Sequence, residues 1–416
     1  MIKNYIKLAL KIMLRKKYYT ALTLVGISFT IMIITVFASF VDQIIGANAP
    51  ETNRSRTLLL DKVSIYKNGK STDATPSVHF LQNVKKLESA ETVSILKMNG
   101  FVSFLNGKAA GHILQLTDEN LWKIADFKFT EGKSYNSKDV KRGARVAVIN
   151  ERTKKHFFND KDAVGKSITI YGQAFKVIGV VKSGATFSKM YGDVYVPYTT
   201  DMNLKTTEKP IEGTYNAMIL SKSGDPGKVR AELKTHMRKI GRNAAGADSL
   251  KVFAFTSMEQ MSKSSSYNDD EPEYGKTTIV MLIIMVLFML IPAISLINLN
   301  VSRIGERAEE IGVRKSFGAT SGALVRQLII ENVIITLIGG LIGLGLSVYA
   351  SQLLIQVINS FDPLFKFPTD TFRISWPVFA FCLFSCVVFG LVSGVYPAWK
   401  MSRMNVIYAL KGGNSL

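Results

Sequence analysis

The sequence predicts an α-helical membrane protein with four transmembrane helices and one α+β extracytoplasmic domain. Three observations lead to this fold class. Apolar residues make up 47% of the 416-residue chain, and they are concentrated in four blocks that contain almost no charge. A long polar stretch separates the first block from the second. Lys and Arg are concentrated in three short segments next to the apolar blocks.

The four apolar blocks are long enough to cross a bilayer. They predict membrane spans at residues 20–41, 277–301, 321–358 and 374–399. The first block has 22 residues, and at a rise of about 1.5 Å per residue it matches a hydrocarbon core of about 30 Å. It is also longer than the roughly 7–15 apolar residues of a signal peptide, so we interpret it as an uncleaved anchor.

The distribution of charge predicts the orientation of the spans. Three segments together carry 14 basic and three acidic residues: 1–19, 300–327 and 398–416. Lys and Arg are enriched in cytoplasmic loops. Both termini, the loop 302–320 and the tail 400–416 are therefore predicted to be cytoplasmic, and residues 47–275 extracytoplasmic. Within residues 1–19, basic residues recur at every fourth position, which predicts an amphipathic helix at the membrane surface.

The net charge of +20 raises the question of a polyanionic partner. Because much of the excess flanks the spans, membrane lipid is a predicted partner and nucleic acid is not. Residues 47–275 hold 35 basic and 25 acidic residues, mixed along the chain. A mildly basic, solvated surface is one interpretation of this part. A preference for anionic lipid or a cell-wall polymer is the other.

The extracytoplasmic stretch has the pattern of two βαβ units. The predicted strands and helices of these units are strand 57–66, helix 77–87, strand 92–97, strand 215–220, helix 225–240 and strand 250–255. A split arrangement of this kind predicts a ferredoxin-like core. Residues 98–210 are predicted as an inserted, β-rich subdomain, with a hairpin turn at 171–173. Residues 262–274 are polar and acidic, which predicts a loop.

Motifs for catalysis are missing from the sequence. Four Gly-Lys-Ser/Thr triplets occur, at 69–71, 132–134, 165–167 and 275–277. A P-loop needs another glycine five residues earlier, where this chain has Ser64, Phe127, Asp160 and Asp270. No serine lies in a Gly-x-Ser-x-Gly elbow. We therefore predict neither nucleotide binding nor enzymatic activity by this chain.

Metal and redox chemistry are not predicted either. The four histidines lack the spacing of metal ligands: His79, His112, His156 and His236. The two cysteines, Cys382 and Cys386, lie four residues apart in the fourth apolar block, where we interpret them as small residues at a helix interface.

Two features of the spans concern helix packing. Gly339 and Gly343 have the small-xxx-small spacing that lets helix backbones approach closely. Packing within one chain and packing across a dimer both fit this spacing. Pro292 is predicted to kink the second span, because proline removes a helix hydrogen bond.

The loop 302–320 has the pattern of a short, charge-rich helix. Its Glu and Arg residues recur at spacings of three and four, which favours ion pairs along a helix. Gly318 is predicted to end that helix, and Thr320 to cap the next one. An ordinary charged loop is one interpretation. A rigid helix that docks on a soluble partner and moves both adjoining spans is the other.

This loop resembles a known signature. The run 309–319, Glu-Glu-Ile-Gly-Val-Arg-Lys-Ser-Phe-Gly-Ala, is similar to that of permeases related to FtsX, the lipoprotein-release permeases and MacB. The similarity continues through Gln327 and Glu331 to residues 396–410, where Val406 replaces the family's usual proline. Residues 47–275 resemble the MacB-like periplasmic core domain, and residues 277–410 the FtsX-like permease C-terminal domain.

The resemblance implies an ABC transporter permease in the bacterial inner (cytoplasmic) membrane. A cytoplasmic ABC ATPase is then expected to dock on the loop helix. The residues implied in this coupling are Arg303, Arg307, Glu310, Ile311, Gly312, Arg314, Lys315, Phe317 and Gly318. MacB carries its ATPase before the first span, whereas 19 residues precede it here. The ATPase, with its ATP and Mg, is therefore expected on another subunit, and no cofactor is expected on this chain.

The implied function is export or efflux of a peptide, lipoprotein or drug-like substrate. The expected partners are an identical or paralogous permease, and a periplasmic adaptor or outer-membrane channel. The alternative is an FtsX-like regulator that activates a periplasmic cell-wall enzyme. Identification of whatever cross-links to the extracytoplasmic domain would distinguish the two functions.

Overall fold

The structure is a computed structural model of the chain. It describes residues 11, 14–15, 17–45, 49–105, 107–159, 161–183, 189–204, 209–244, 248–262, 279–280, 283–284, 287, 313–314, 316–361, 377–385, 387–388 and 391. The chain divides into two compact units. The helical unit comprises Met1–Asp42, Thr278–Leu354 and Phe372–Leu416, and the sheet unit comprises Gln43–Thr277 and Ile355–Thr371.

Two long helices dominate the described part of the helical unit. Helix α1 is Lys17–Ile45, and a helix of 41 residues, called α8 below, is Ser321–Phe361. Within the described residues, two stretches are long and apolar enough to cross a membrane: Thr20–Asp42 and Gly322–Phe361, with mean hydropathies of 2.4 and 2.2. These are the first and third predicted spans.

The other two predicted spans lie largely outside the described residues. Of the span 277–301, helix is described at 279–280, 283–284 and 287, and of the span 374–399, at 377–385, 387–388 and 391. Also outside the described residues are Pro292, residues 1–10, residues 263–274 and the tail 400–416. The count of four spans therefore stays a prediction.

The described residues of the sheet unit form twelve strands. They are β1 Thr57–Lys67, β2 Lys70–Pro76, β3 Ala90–Leu105, β4 Lys108–Thr117, β5 Phe129–Gly132, β6 Val146–Asn150, β7 Ser167–Ile170, β8 Gln173–Val181, β9 Val194–Pro197, β10 Glu212–Gly213, β11 Asn216–Ser221 and β12 Ser249–Thr256. Its helices are α2 Val78–Val84, α3 Leu121–Ile124, α4 Ser137–Lys141, α5 Glu151–Phe158, α6 Pro226–Ala244 and α7 Ser257–Ser262. Two 3₁₀ turns are Arg54–Arg56 and Tyr198–Thr200.

Four strands, two from the beginning and two from the end of the sheet unit's sequence, pair in the order β12-β1-β11-β3. All three pairings are antiparallel. This is the order that two split βαβ units produce. Helix α2 buries Phe80, Leu81 and Val84, and helix α6 buries Val229 and Leu233, which lie four residues apart on one helix face. The pattern of two βαβ units in the sequence therefore corresponds to this half of the sheet.

The remaining strands extend the same sheet. Strand β3 has 16 residues, and its residues from Leu96 to Leu105 pair with β4. Strand β4 then pairs with β9 in parallel, and the order continues through β6 and β8 to β5. The boundary predicted at residue 98, where the insertion was expected to begin, falls inside β3. The first part of β3 pairs with β11 and the second part with β4. The described strands of the insertion therefore continue the sheet of the two βαβ units.

Two hairpins turn at residues with positive φ. Tyr171 and Gly172, at 47° and 77°, connect β7 to β8, and Asn68 and Gly69, at 52° and 71°, connect β1 to β2. Two consecutive residues with positive φ form the type I′ turn, whose twist matches that of paired strands. The turn pattern at 171–173 predicted the first hairpin, whereas strand β2 of the second hairpin was not predicted.

Candidate coupling site and helix-packing seam

The structure describes only some of the predicted coupling residues. Arg314, Phe317 and Gly318 are described. Six others lie outside the described residues, or have side chains that do: Arg303, Arg307, Glu310, Ile311, Gly312 and Lys315. The described site is therefore the end of the predicted loop helix and its connection to α8.

A tight turn joins this helix end to α8. The Phe317 N–H donates to the Val313 carbonyl at 3.2 Å, and the Ala319 N–H donates to the Arg314 carbonyl at 3.0 Å. Gly318 has a φ of 90°, the left-handed conformation that glycine adopts after the last helical residue. The turn therefore closes on backbone hydrogen bonds, with glycine where a side chain would cause strain.

Two side chains hold the turn to the first coils of α8. The Ala323 N–H donates to the Thr320 carbonyl at 3.0 Å and lies 3.4 Å from the Thr320 Oγ1, which is the geometry of an N-cap. The Arg314 guanidinium donates to the Gln327 Oε1 at 3.1 Å. Gln327 was noted in the sequence only through family resemblance. Its contact shows that it links the turn to the helix.

Phe317 leaves its ring in solvent at the tip of this turn. Its side chain is 87% exposed. Burial of a phenylalanine side chain contributes about 1.5–3 kcal/mol, and aromatic residues on a rigid support dominate many protein interfaces. The turn therefore presents an apolar anchor of the kind that a partner protein can bury.

The two glycines of α8 lie against α1. A Cβ on Gly339 would be 2.7 Å from the Ile27 Cγ2, and a Cβ on Gly343 would be 2.6 Å from the Ser28 carbonyl oxygen. The Ser28 hydroxyl donates to the Gly339 carbonyl at 2.9 Å. We call these four residues the packing seam. Because a side chain at either glycine would separate the helices, the seam depends on glycine at both positions.

A histidine pair in the sheet unit was not predicted. The Ser103 Oγ lies 2.8 Å from the His112 Nε2 and 3.2 Å from the His156 Nε2. The His112 ring stacks against Phe101 and Phe157, with centroids 5.0 and 5.4 Å apart. Burial lowers the pKa of His112 to about 4, and burial also lowers the pKa of His156. Both rings are therefore neutral at pH 7.

This pair does not form a metal centre in the described structure. Among the described residues, no group of three or more His, Cys, Asp or Glu side chains could hold a metal ion. Burial is the main cause of the lowered pKa of His112, and the His156 and Arg152 charges lower it further, whereas the Asp193 charge raises it. The histidine pair is therefore a buried polar contact between β3, β4 and α5.

A helical unit with two helices long and apolar enough to cross a membrane, joined to a large sheet unit, is the arrangement expected of a membrane protein with an extramembrane domain. The family model of the MacB-like periplasmic core domain matches residues 20–236, and the FtsX-like permease C-terminal model matches residues 282–406. The chain belongs to the MacB/FtsX-like family of ABC transporter permeases. It is thus a membrane protein with an extracytoplasmic domain, and its family works with an ABC ATPase.

Two curated relatives are just over a quarter identical to this chain over the segments that align. The uncharacterized ABC transporter permease YknZ of Bacillus subtilis is 27% identical over 299 residues, which cover 71% of this chain and 68% of YknZ. The macrolide export ATP-binding/permease protein MacB of Neisseria gonorrhoeae is 28% identical over 297 residues, covering 70% of this chain and 42% of that protein. The chain thus spans less than half the length of this MacB.

Solved extracytoplasmic domains are also similar to part of the chain. The periplasmic region of MacB from Actinobacillus actinomycetemcomitans is 17% identical, with a TM-score of 0.37, and covers 49% of this chain and 90% of that region. The extracellular domain of YknZ is 14% identical, with a TM-score of 0.36, and covers 47% of this chain and 99% of that domain.

Proposed function

We propose that this chain passes the ATP-driven motion of a separate ATPase subunit to its extracytoplasmic domain, for export or efflux of a peptide, lipoprotein or drug-like substrate. The observation that carries the proposal is the exposed Phe317 on a turn that is tied to α8. An anchor on a rigid turn can transmit displacement, whereas the same ring on a loose loop could not.

The path of the motion follows from the contacts of α8. The Thr320 cap and the Arg314–Gln327 hydrogen bond join the turn to the helix. A helix of 41 residues is about 60 Å long, roughly twice the hydrocarbon thickness. The packing seam joins α8 to α1. A push on Phe317 therefore moves α8, and α1 with it.

The motor itself belongs to the partner in this proposal. None of the Gly-Lys-Ser/Thr triplets of the sequence has the preceding glycine of a P-loop. We therefore assign ATP and Mg to the ATPase subunit and no cofactor to this chain. A second permease, identical or paralogous, would complete the complex, and an adaptor or outer-membrane channel would extend it.

Substitution of Phe317 tests the docking of the ATPase. Phe317→Asp places a charge where the proposal buries a ring, so co-purification of the ATPase from detergent-solubilised membranes should fall at least tenfold. Phe361→Asp is the matched control, because Phe361 is 85% exposed at the other end of α8 and should leave ATPase recovery unchanged. Equal recovery with both variants would sink the proposal.

A further inference from the structure

A cavity of about 320 Å³ opens in the sheet unit where the β7–β8 hairpin lies beside β3, β4 and β9. This volume falls at the lower end of the roughly 300–1,000 Å³ that is typical of ligand sites. It can take one large side chain with its neighbouring peptide groups. All residues that line it belong to the sheet unit.

The floor of the cavity is apolar. Leu114 and Leu116 lie two residues apart on β4 and therefore point to the same face of the sheet. Val196, on the parallel strand β9, is the register partner of Leu116. Ile170 and Phe175 close the floor from β7 and β8. All five side chains are at most 4% exposed, so an apolar group that enters the cavity leaves water.

The roof of the cavity is the tip of the β7–β8 hairpin. The Tyr171 hydroxyl donates to the Gly100 carbonyl of β3 at 2.6 Å, and the Tyr171 ring meets Phe101 edge-on, with centroids 6.3 Å apart. Tyr171 is nevertheless 51% exposed. The described contacts of Tyr171 with β3 are thus one hydrogen bond and one ring contact.

Uncharged hydrogen-bonding groups line the cavity above the floor. Within the described residues, the side-chain amides of Asn99 and Gln173 make no hydrogen bond to protein. Each amide offers both donors and an acceptor. Asp201 also lines the cavity, but its carboxylate accepts from the Lys97 ammonium and from the Tyr215 hydroxyl, both at 2.8 Å. The carboxylate charge is therefore compensated, and the lining favours a neutral ligand.

We propose that this cavity binds an uncharged peptide segment, with one large apolar side chain on the Leu114–Leu116 floor and the flanking peptide groups paired with Asn99 and Gln173. A fatty acyl chain would fill the floor but would make no hydrogen bond with either amide. Because both amides are partly exposed, a peptide is distinguished from it by the hydrogen bonds that it adds. The assignment gives a substrate class to the export role proposed above and rests on it. Binding is tested without ATP, so that failure of either proposal is seen separately.

The test uses the full chain in lipid nanodiscs without nucleotide. The probe is N-acetyl-photoleucine N-methylamide, whose diazirine inserts into neighbouring atoms on illumination, and the adducts are mapped by mass spectrometry. We expect adducts on peptides that contain Leu116 or Phe175. An excess of N-acetyl-leucine N-methylamide should reduce them at least fivefold, and N-acetyl-aspartate N-methylamide should not.

Two variants separate specific from incidental labelling. Leu116→Trp fills the cavity and should reduce the adducts about tenfold. Val102→Trp is its control, since Val102 is 41% exposed and is not part of the lining. The double variant Asn99→Leu with Gln173→Leu leaves the floor intact and should also weaken labelling. Labelling that survives the double variant, or that decanoate displaces and the leucine amide does not, would overturn the peptide assignment.

Discussion

Ser28 and Gly339 are joined by a hydrogen bond of 2.9 Å between the serine hydroxyl and the glycine carbonyl, although they lie 311 residues apart in the chain. The bond is formed where Gly339 and Gly343 of α8 allow α1 to approach. Interhelical hydrogen bonds of this kind contribute about 0.6 kcal/mol on average in membranes. We therefore attribute most of the stability of the packing seam to close packing at the two glycines.

The first prediction concerns this packing. In Gly343→Ala, the new methyl group would meet the Ser28 carbonyl at 2.6 Å, and backbone cannot rotate away as a side chain can. We expect the helical unit to lose about 1–3 kcal/mol, the usual cost of overpacking. The measurement is the loss of monodisperse protein on heating in detergent, followed by size-exclusion chromatography.

Gly345→Ala is the control for this prediction. A Cβ at Gly345 would meet nothing within 4 Å, and alanine is a better helix former than glycine. The thermal midpoint of this variant should equal or exceed that of the unchanged protein. If both alanine variants shift the midpoint equally, the seam does not hold α1 to α8.

The second prediction separates ATPase binding from the transmission of motion. Gln327→Leu removes the acceptor of the Arg314 hydrogen bond and leaves Phe317 in place. The ATPase should still co-purify, while the stimulation of its activity by the permease falls several-fold. Gln352→Leu, at an exposed position of the same helix, should change neither quantity. Loss of co-purification in Gln327→Leu would assign Gln327 to docking instead.

The third prediction concerns the buried histidine of the sheet unit. The pKa of His112 lies near 4 in the folded protein and at 6.5 when the residue is free. The unfolded chain therefore binds more protons between these values, and stability falls as the pH falls from 6.5 towards 4. The loss approaches about 3 kcal/mol. Hydrogen exchange in the β3–β4 hairpin, corrected for intrinsic rates, should report it.

Two substitutions check that His112 is the titrating group. His112→Phe keeps the stacking with Phe101 and Phe157 and removes the ionisable ring, so the pH dependence of exchange in the hairpin should become shallower. His79→Phe changes an exposed histidine and should leave the dependence as it is. An unchanged slope in His112→Phe would show that another group titrates.

Local sequence patterns predicted much of the sheet unit. Helix α2 begins after Ser77, whose side chain accepts from the Phe80 N–H at 3.0 Å, and the predicted hairpin turn is formed by Tyr171 and Gly172. Strand β2 was missed although Asn68-Gly69 is a strong hairpin signal. Its residues, Lys-Ser-Thr-Asp-Ala-Thr-Pro, are mostly polar, so they show no alternation of apolar and polar positions.

Contacts between distant segments could not be predicted from spacing. The sequence identified Gly339 and Gly343 as small residues, but it gave no reason to place Ser28 beside them. In the same way, His112 and His156 are 44 positions apart, and their spacing gave no reason to relate them. They meet at Ser103 because of the register of β3 with β4 and the position of α5. At the coupling loop, the family resemblance suggested Phe317, and only the structure gave its exposure.

Cross-linking from position 317 tests the central claim most directly. A benzoylphenylalanine at position 317 should, on illumination of intact membranes, attach the chain to a protein with a P-loop ATPase sequence. The same group at position 361 should not. A cross-link to that ATPase from 361 and none from 317 would contradict the account, because the motor would then act on the other end of α8.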